Sequence, residues 1–253
     1  MRIEIDGLSF SYNGYPVLQD LALELGKGEV LGIIGPNGSG KSTLLKCIDR
    51  ILLPKGRCIF LDGKEINQYS GRELARLVGY VAQSEESRFP VTVFDTILMG
   101  RKPFLNWKPS AGDLDKVAQI IKMLHLEPIA MRELNTISGG ERQKVMIGRA
   151  IAQEPHVMLL DEPTNYLDLR HQLEVMNLIE DLAASGISSV VAIHDLNLAS
   201  RYCQKLILLE AGKIFAAGGQ EVLDPENIEP VYKVKISCCT NSGNTVIVPD
   251  RPL

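Results

Sequence analysis

The sequence has no long hydrophobic run. Its apolar runs, among them Val30–Ile34 and Val157–Leu160, are four or five residues long, whereas a membrane-spanning helix needs about 20 residues. The first residues, Met1 to Asp6, include carboxylates where a signal peptide would be apolar. We therefore expect a cytosolic chain that reaches a membrane only through a partner.

An excess of charge of one sign is also missing. The chain has 27 Lys and Arg against 31 Asp and Glu, which gives a formal net charge of −4. This balance provides no general electrostatic attraction for nucleic acids or anionic lipids. No nucleic acid is expected as a partner.

Cysteine pairs with the spacing of a zinc site do not occur. The five cysteines are Cys47, Cys58, Cys203, Cys238 and Cys239, and none forms a CxxC pair. The adjacent Cys238 and Cys239 leave a redox or metal role open. For a cytosolic chain, however, we expect reduced, structurally incidental thiols.

Strand-like and helix-like segments alternate along the chain. Continuous apolar runs typical of strands buried on both faces occur at Val30–Ile34, Val157–Leu160 and Val190–Ile193, the last within a predicted strand over 188–193. Between and after them, the helical period predicts helices over 44–52, 139–153, 169–185 and 196–204. This alternation predicts an α/β fold with a mainly parallel sheet, preceded by two antiparallel strands near residues 3–8 and 17–25.

Residues 84–136 differ in character, with four prolines, polar loops and helical patterns at 93–100 and 113–126. In the second pattern Leu114, Val117, Ile120, Ile121 and Leu124 share one face. We interpret this region as an inserted helical subdomain. The predicted organisation is a single domain, 1–253, with a core of residues 1–83 and 154–253 and a helical subdomain of residues 84–153.

A phosphate-binding loop is the most specific feature of the sequence. Residues 35–43 fit the pattern GxxxxGK[ST], and a buried strand precedes them while a helix follows. Glycines allow backbone N–H groups to converge on phosphate oxygens, and the helix directs its positive end at the same anion. Lys41 can bridge the β- and γ-phosphates of ATP, and the Ser42 hydroxyl can bind Mg²⁺. The predicted nucleotide contacts are Gly35, Pro36, Asn37, Gly38, Ser39, Gly40, Lys41, Ser42 and Thr43.

Two further segments carry chemistry. The run Val157–Leu160 ends in Asp161 and Glu162, at the edge where α/β sheets bind ligands; Asp161 can hold Mg²⁺ and Glu162 can act as general base towards water. The second segment, Ser138-Gly139-Gly140, opens a helix and offers another anion site.

In this order the motifs resemble those of the ATP-binding subunits of ABC transporters, over nearly the whole chain. Gly35–Thr43 resembles the Walker A motif, Ile137–Glu141 the signature motif and Val157–Glu162 the Walker B motif with its catalytic glutamate. The remaining matches are Tyr12 with the adenine-stacking aromatic, Gln83 with the Q-loop glutamine, 165–168 with the D-loop and His194 with the switch histidine. Ile137 and Glu141 depart from the usual Leu and Gln.

The resemblance implies an ATPase that uses ATP and Mg²⁺. Its catalytic residues would be Glu162, His194, Gln83 and Lys41, and its metal contacts Ser42, Gln83 and Asp161. Tyr12 would stack on adenine, and Ser138, Gly139 and Gly140 would close over the ATP of a second copy in a head-to-tail homodimer. The dimer would work at the cytoplasmic face of the membrane, on a polytopic permease supplied by a substrate-binding protein.

Within this family, residues 93–103 and the C-terminal tail resemble the importers of iron–siderophore complexes, haem and cobalamin. Importers of molybdate, tungstate, zinc or manganese remain alternatives. A non-transport ATPase that acts on nucleic acid or ribosomes, or in iron–sulfur assembly, is a further alternative.

Overall fold

The computed structural model describes residues 1–83, 90–105, 107–241 and 243–253. Its strands, in chain order, are β1 (Ile3–Tyr12), β2 (Tyr15–Leu25), β3 (Val30–Ile34), β4 (Ile59–Leu61), β5 (Lys64–Glu65), β6 (Val78–Val81), β7 (Val157–Asp161), β8 (Ser188–Ala192), β9 (Lys205–Glu210), β10 (Lys213–Gly218), β11 (Val234–Asn241) and β12 (Asn244–Pro252). The α-helices are α1 (Lys41–Ile48), α2 (Gly71–Leu77), α3 (Val93–Met99), α4 (Ala111–Met123), α5 (Gly139–Ile151), α6 (Leu169–Ala184), α7 (Leu196–Tyr202) and α8 (Pro225–Tyr232).

The central sheet has the strand order β10-β9-β3-β8-β7-β6. All its neighbours run parallel except β10, which is antiparallel to β9. Every residue of β3, β7 and β8 is buried, as expected for strands covered on both faces. The predicted mainly parallel sheet is therefore confirmed.

A second, antiparallel sheet has the order β2-β1-β4-β5. Its apolar side chains join those of α1 and the central sheet in one buried cluster, which includes Leu8, Leu18, Leu44 and Ile207. The predicted N-terminal antiparallel strands are confirmed. The position of this sheet brings β2 against the phosphate loop.

The helix after the phosphate loop is shorter than its apolar pattern predicts. It ends at Ile48, and Ile51, predicted on the buried face, is 54% exposed. Arg50 adopts a left-handed backbone, with φ of 56°, and its guanidinium donates to the carbonyls of Ile66 and Tyr69. These tertiary bonds stabilise a turn where the local pattern alone favours helix.

Helices α3, α4 and α5 pack against one another, as expected for the predicted helical subdomain. Leu114 is exposed rather than buried, whereas Asp113 beside it is buried. The Asp113 carboxylate accepts from Arg101 at 2.9 Å and from the Ser110 hydroxyl at 2.6 Å, which turns this face of α4 inward. The predicted division at residues 83 and 84 adjoins residues 84–89, outside the described residues, and stays a prediction.

The chain ends in a hairpin of β11 and β12, of which the sequence predicts only the strand near 246–249. Ile236 and Ile247, on one side of the hairpin, are buried in the main core. The thiols of Cys238 and Cys239 are free and lie on consecutive strand positions, so they point to opposite faces. Among the described residues, no helix combines the length and apolarity needed to cross a bilayer.

Candidate nucleotide site

The phosphate loop begins where β3 ends, and no residue with a Cβ fits at the position of its first glycine, Gly35. Gly35 has φ of 146°, and a Cβ there would lie 2.3 Å from the carbonyl oxygen of Leu209. Gly40, at φ of 109°, would bring a Cβ within 2.7 Å of Leu18 in β2. The loop is thus closed in by β9 on one side and the N-terminal sheet on the other, and both contacts require glycine.

The start of α1 is open to an anion. The first N–H groups of any helix lack intrahelical partners, and because the cap here is Gly40, no capping side chain accepts from them either. The Ser39 hydroxyl is buried and has no hydrogen-bond partner among the described residues. Phosphate oxygens would satisfy both sets of donors.

Lys41 is the first residue of α1 and is only 4% exposed. Its Nζ donates to the carbonyl oxygens of Gly35 at 2.8 Å and Pro36 at 3.1 Å. Burial lowers the pKa of this amine, and the charges of Glu162 and Asp161 oppose the shift. The amine is therefore held inside the loop, next to the space where phosphates would lie.

Ser42 and Asp161 meet directly behind the loop. Ser42 Oγ donates to Asp161 Oδ1 at 2.8 Å, and the Tyr80 hydroxyl donates to Asp161 Oδ2 at 3.3 Å. Burial raises the pKa of the Asp161 carboxyl, while the Ser42 bond lowers it. A hydroxyl and a carboxylate oxygen side by side are the ligands that Mg²⁺ prefers, so these residues fit the predicted metal.

Three side chains from three parts of the chain form hydrogen bonds to the Glu162 carboxylate. Gln83, just after β6, and Asn165 each donate to its Oε2 at 2.5 Å. The other oxygen, Oε1, is hydrogen-bonded to Nε2 of His194, which follows β8. Thus the structure brings together the predicted Glu162, Gln83 and His194, at the carboxyl ends of adjacent strands.

The backbone of Glu162 turns sharply out of β7. Its φ is 53°, and its N–H donates to the carbonyl of Ala192 at 3.0 Å. A non-glycine residue in this region costs roughly 1–2 kcal/mol, so the surrounding hydrogen bonds hold a conformation that local preference disfavours. The turn directs the carboxylate across the strand ends.

Ser138 forms a capping box at the start of α5. Its hydroxyl donates to Glu141 Oε2 at 2.7 Å and accepts from the Glu141 N–H at 3.3 Å. Glu141, a departure from the family's usual Gln, thus closes the cap, and its pKa is lowered by hydrogen bonds from Ser138. A Cβ on Gly140 would lie 2.3 Å from the ring of His171, so this histidine packs on the Ser-Gly-Gly turn.

The Ser-Gly-Gly turn and the phosphate loop belong to different parts of the molecule. The loop follows β3, whereas α5 packs on the edge strand β6, three strand spacings away, or about 14 Å. Tyr12 lies at the tip of the β1–β2 hairpin, opposite Tyr15, and is 43% exposed. Leu18 of the same hairpin packs on Gly40, so the hairpin adjoins the loop and Tyr12 is open at its tip.

Three side chains of this site were missed by the sequence analysis. Asn165 was assigned to the D-loop without a role; its spacing of three from Glu162 is the signal that could have found it. Tyr80 is half-buried, while the other three residues of β6 are buried, and it belongs to no motif. Tyr232, whose hydroxyl accepts from the Gly35 N–H at 2.8 Å, is 197 residues from the loop, and no local pattern indicates it.

Comparison with known proteins decides the family. A family model described as ABC transporter matches residues 18–165, more than half of the chain. The chain belongs to the ABC transporter family. This membership confirms the resemblance drawn from the motifs, and with it the ABC ATPase fold and the ATP-hydrolysing class of enzyme.

Relatives extend the similarity beyond the family model. An uncharacterized ABC transporter ATP-binding protein of Methanocaldococcus jannaschii is 48% identical, with 98% of each chain covered. The ferric enterobactin transport ATP-binding protein of Escherichia coli is 35% identical over 98% of this chain and 94% of that protein.

Solved structures show the same likeness. An inward-facing metal-chelate type ABC transporter matches with a TM-score of 0.85 at 32% identity, covering 98% of this chain and 96% of that one. A dimeric ATP-binding cassette in a post-hydrolysis state, bound to ADP and Pi, matches with a TM-score of 0.75 at 27% identity, covering 86% and 98%.

Proposed function

We propose that this ABC ATPase hydrolyses ATP with Mg²⁺ to drive import of a metal chelate, such as an iron–siderophore complex, haem or cobalamin, through a separate membrane permease. The observation that carries the hydrolysis part of the proposal is the Glu162 carboxylate, held by Gln83 and His194 beside the Ser42–Asp161 pair. The similarity to the ferric enterobactin transport ATP-binding protein supports the proposed cargo. A base, a metal site and a phosphate loop at one sheet edge are the parts that phosphoryl transfer to water requires.

Each side chain has a proposed role. Ser42, Asp161 and Gln83 would hold Mg²⁺, which would offset charge on the phosphates. Lys41 leaves its loop carbonyls for the β- and γ-phosphates and stabilises charge in the transition state. Glu162 accepts the proton of the attacking water, Gln83 aligns that water, and His194 contacts the γ-phosphate. Tyr12 stacks on adenine.

A second copy of the chain completes the site. The separation of Ser138 from the phosphate loop supports a head-to-tail dimer, in which the turn 138–140 of one protomer contacts the γ-phosphate held by the other. Two such turns and two loops give two sandwiched ATP molecules. The similar cassette bound to ADP and Pi is dimeric, which supports this arrangement. Hydrolysis then removes the bridging phosphate and opens the dimer.

A cleft of about 480 Å³ between α2, α3 and α5 is the proposed permease site. Met99, 52% exposed, lies on its wall, and Arg72 and Arg76 of α2 join its two sides by donating to the carbonyl of Pro103. Arg149 and Gln153, at the far end of the helix that Ser138 caps, also line it. A permease segment seated here would sense the position of α5 and would hold the chain at the cytoplasmic face of the membrane.

Reconstitution tests the proposal. The chain and its permease, with the substrate-binding protein, should take up one iron chelate, haem or cobalamin into vesicles in an ATP-dependent manner, and a Glu162→Gln protein should not. A panel that includes molybdate, tungstate, zinc and manganese separates the alternative cargoes. Failure to co-purify with any polytopic membrane protein, or ATPase stimulation by nucleic acid, would instead favour a non-transport ATPase.

A further inference from the structure

The base of the phosphate loop is held from the far end of the chain. The Tyr232 hydroxyl accepts the Gly35 N–H at 2.8 Å, and the Gly35 carbonyl accepts from Lys41 at 2.8 Å. Both backbone polar groups of the first loop residue therefore have side-chain partners. Since Leu209 leaves no room for a Cβ there, the position of Gly35 is set from several sides.

Tyr232 is itself fixed in place. It is the last residue of α8, whose Ile228 and Val231 are buried in the main core. Glu229 of α8 accepts from the N–H of Ile236 at 3.1 Å and from Lys235 at 3.0 Å, which joins the helix to β11. Burial raises the pKa of the Tyr232 phenol to about 12, so it stays neutral over the working pH range.

The hairpin of β11 and β12, which follows α8, is also hydrogen-bonded to the helix that begins just after His194. Asn197 of α7 makes two bonds to the backbone of Ile247: its Oδ1 accepts the N–H at 2.8 Å, and its Nδ2 donates to the carbonyl at 3.3 Å. Helix α7 begins two residues after His194. The C-terminal segment is thus tied to both sides of the nucleotide site.

We infer that the C-terminal segment, residues 225–253, is a working part of the nucleotide site, and that Tyr232 is a positioning residue that sets the phosphate loop for ATP. The segment lies outside the residues that the family model matches. Without the phenolic oxygen, the buried Gly35 N–H loses its acceptor, and the loop gains conformations that no longer direct its N–H groups at phosphate. The inference depends on ATP binding alone, not on the cargo or the permease.

The test is the purified full-length chain with Tyr232→Phe, which keeps the ring and removes only the hydroxyl. We expect the Kd for a fluorescent ATP analogue with Mg²⁺, and the KM for ATP, to rise about three- to tenfold, the range of one lost hydrogen bond, with kcat changed less. Tyr69→Phe is the matched control, because the Tyr69 hydroxyl donates to the Leu61 carbonyl at 3.1 Å, away from the loop. That control should leave the Kd unchanged.

A purely structural role gives a different result. In that case both variants would lower the Tm of the free protein similarly, while the rise in Tm caused by ATP and Mg²⁺ would match wild type; this outcome overturns the inference. Amide hydrogen exchange of residues 31–36 is a second measurement. The exchange should accelerate in Tyr232→Phe and not in Tyr69→Phe. An unchanged exchange rate in that variant also counts against the role assigned to Tyr232.

Discussion

Ser42 and Asp161 lie 119 positions apart in the chain, yet Ser42 Oγ donates to Asp161 Oδ1 at 2.8 Å. The folded sheet thus places side by side the two oxygens proposed to bind Mg²⁺. These two oxygens would hold Mg²⁺, directly or through water, and the metal would offset charge on the phosphates of ATP.

Removing the charge of Asp161 should abolish metal-dependent turnover. Asp161→Asn keeps the shape of the side chain but loses the anionic ligand, so ATP hydrolysis should fall by at least about 100-fold, since the metal is worth several kcal/mol in the transition state. Phosphate release at a series of Mg²⁺ concentrations measures this. Asp115→Asn, on the exposed face of α4, is the control, and an equal loss in both variants would contradict the assignment.

The Glu162→Gln variant should bind ATP and hydrolyse it very slowly. The amide cannot take a proton from water, which costs about 10²–10⁴-fold in rate, while the loop and the metal pair are untouched. Because the bound ATP is not hydrolysed, the protein should accumulate as a dimer when ATP and Mg²⁺ are added. Light scattering during size-exclusion chromatography would detect this dimer. Turnover near that of wild type would refute Glu162 as the base.

Substituting two serines that cap helices distinguishes an effect on stability from an effect on catalysis. Ser138 and Ser110 form equivalent capping boxes with Glu141 and Asp113. Each substitution to alanine should lower the free energy of unfolding by about 0.5–2 kcal/mol. Only Ser138→Ala should also slow ATP hydrolysis, by about 10²–10³-fold, as for a lost donor to transition-state charge. Equal ATPase rates in the two variants would remove Ser138 from the site.

Mixing two inactive variants tests whether the site is shared between protomers. In a head-to-tail dimer, a Lys41→Ala chain paired with a Ser138→Ala chain has one site with both defects and one intact site. Half of randomly paired dimers are mixed, so the mixture should recover about a quarter of the wild-type rate. If each site lay within a single chain, mixing would restore nothing above the separate variants.

The packed helices α3, α4 and α5 should lose stability in acid through Asp113. Hydrogen bonds from the Ser110 hydroxyl and N–H, then Arg101, lower the pKa of Asp113 to about 2 from its ordinary 3.8. Because the pKa is lower in the folded state, this stabilisation is present above about pH 4 and lost as pH falls towards 2. Asp113→Asn should remove about 1–2 kcal/mol at pH 7, and urea unfolding from pH 7 to pH 3 should show a weaker acid dependence in this variant than in wild type or Asp115→Asn.

The sequence determined the elements and most of the site. Glycine spacing, the buried run before it and the acids after Leu160 predict a phosphate loop and a metal-binding strand end, because loop sterics and strand burial are local properties. The mainly parallel sheet was also predictable, because strand-like and helix-like segments alternate along the sequence. Local pattern failed where distant groups intervened: Arg50 stops α1 short of Ile51, and Arg101 draws Asp113 inward in place of Leu114.

Only the tertiary structure decided which side chains share a contact. Gln83 and His194 converge on Glu162 because β6, β7 and β8 are neighbours in the sheet, and no short segment of the sequence specifies strand order. Tyr232 reaches Gly35 across 197 positions because Ile228 and Val231 pack α8 into the main core. The sequence by itself named the chemistry of the phosphate loop; the packing of the C-terminal helix against it set the position of its first residue.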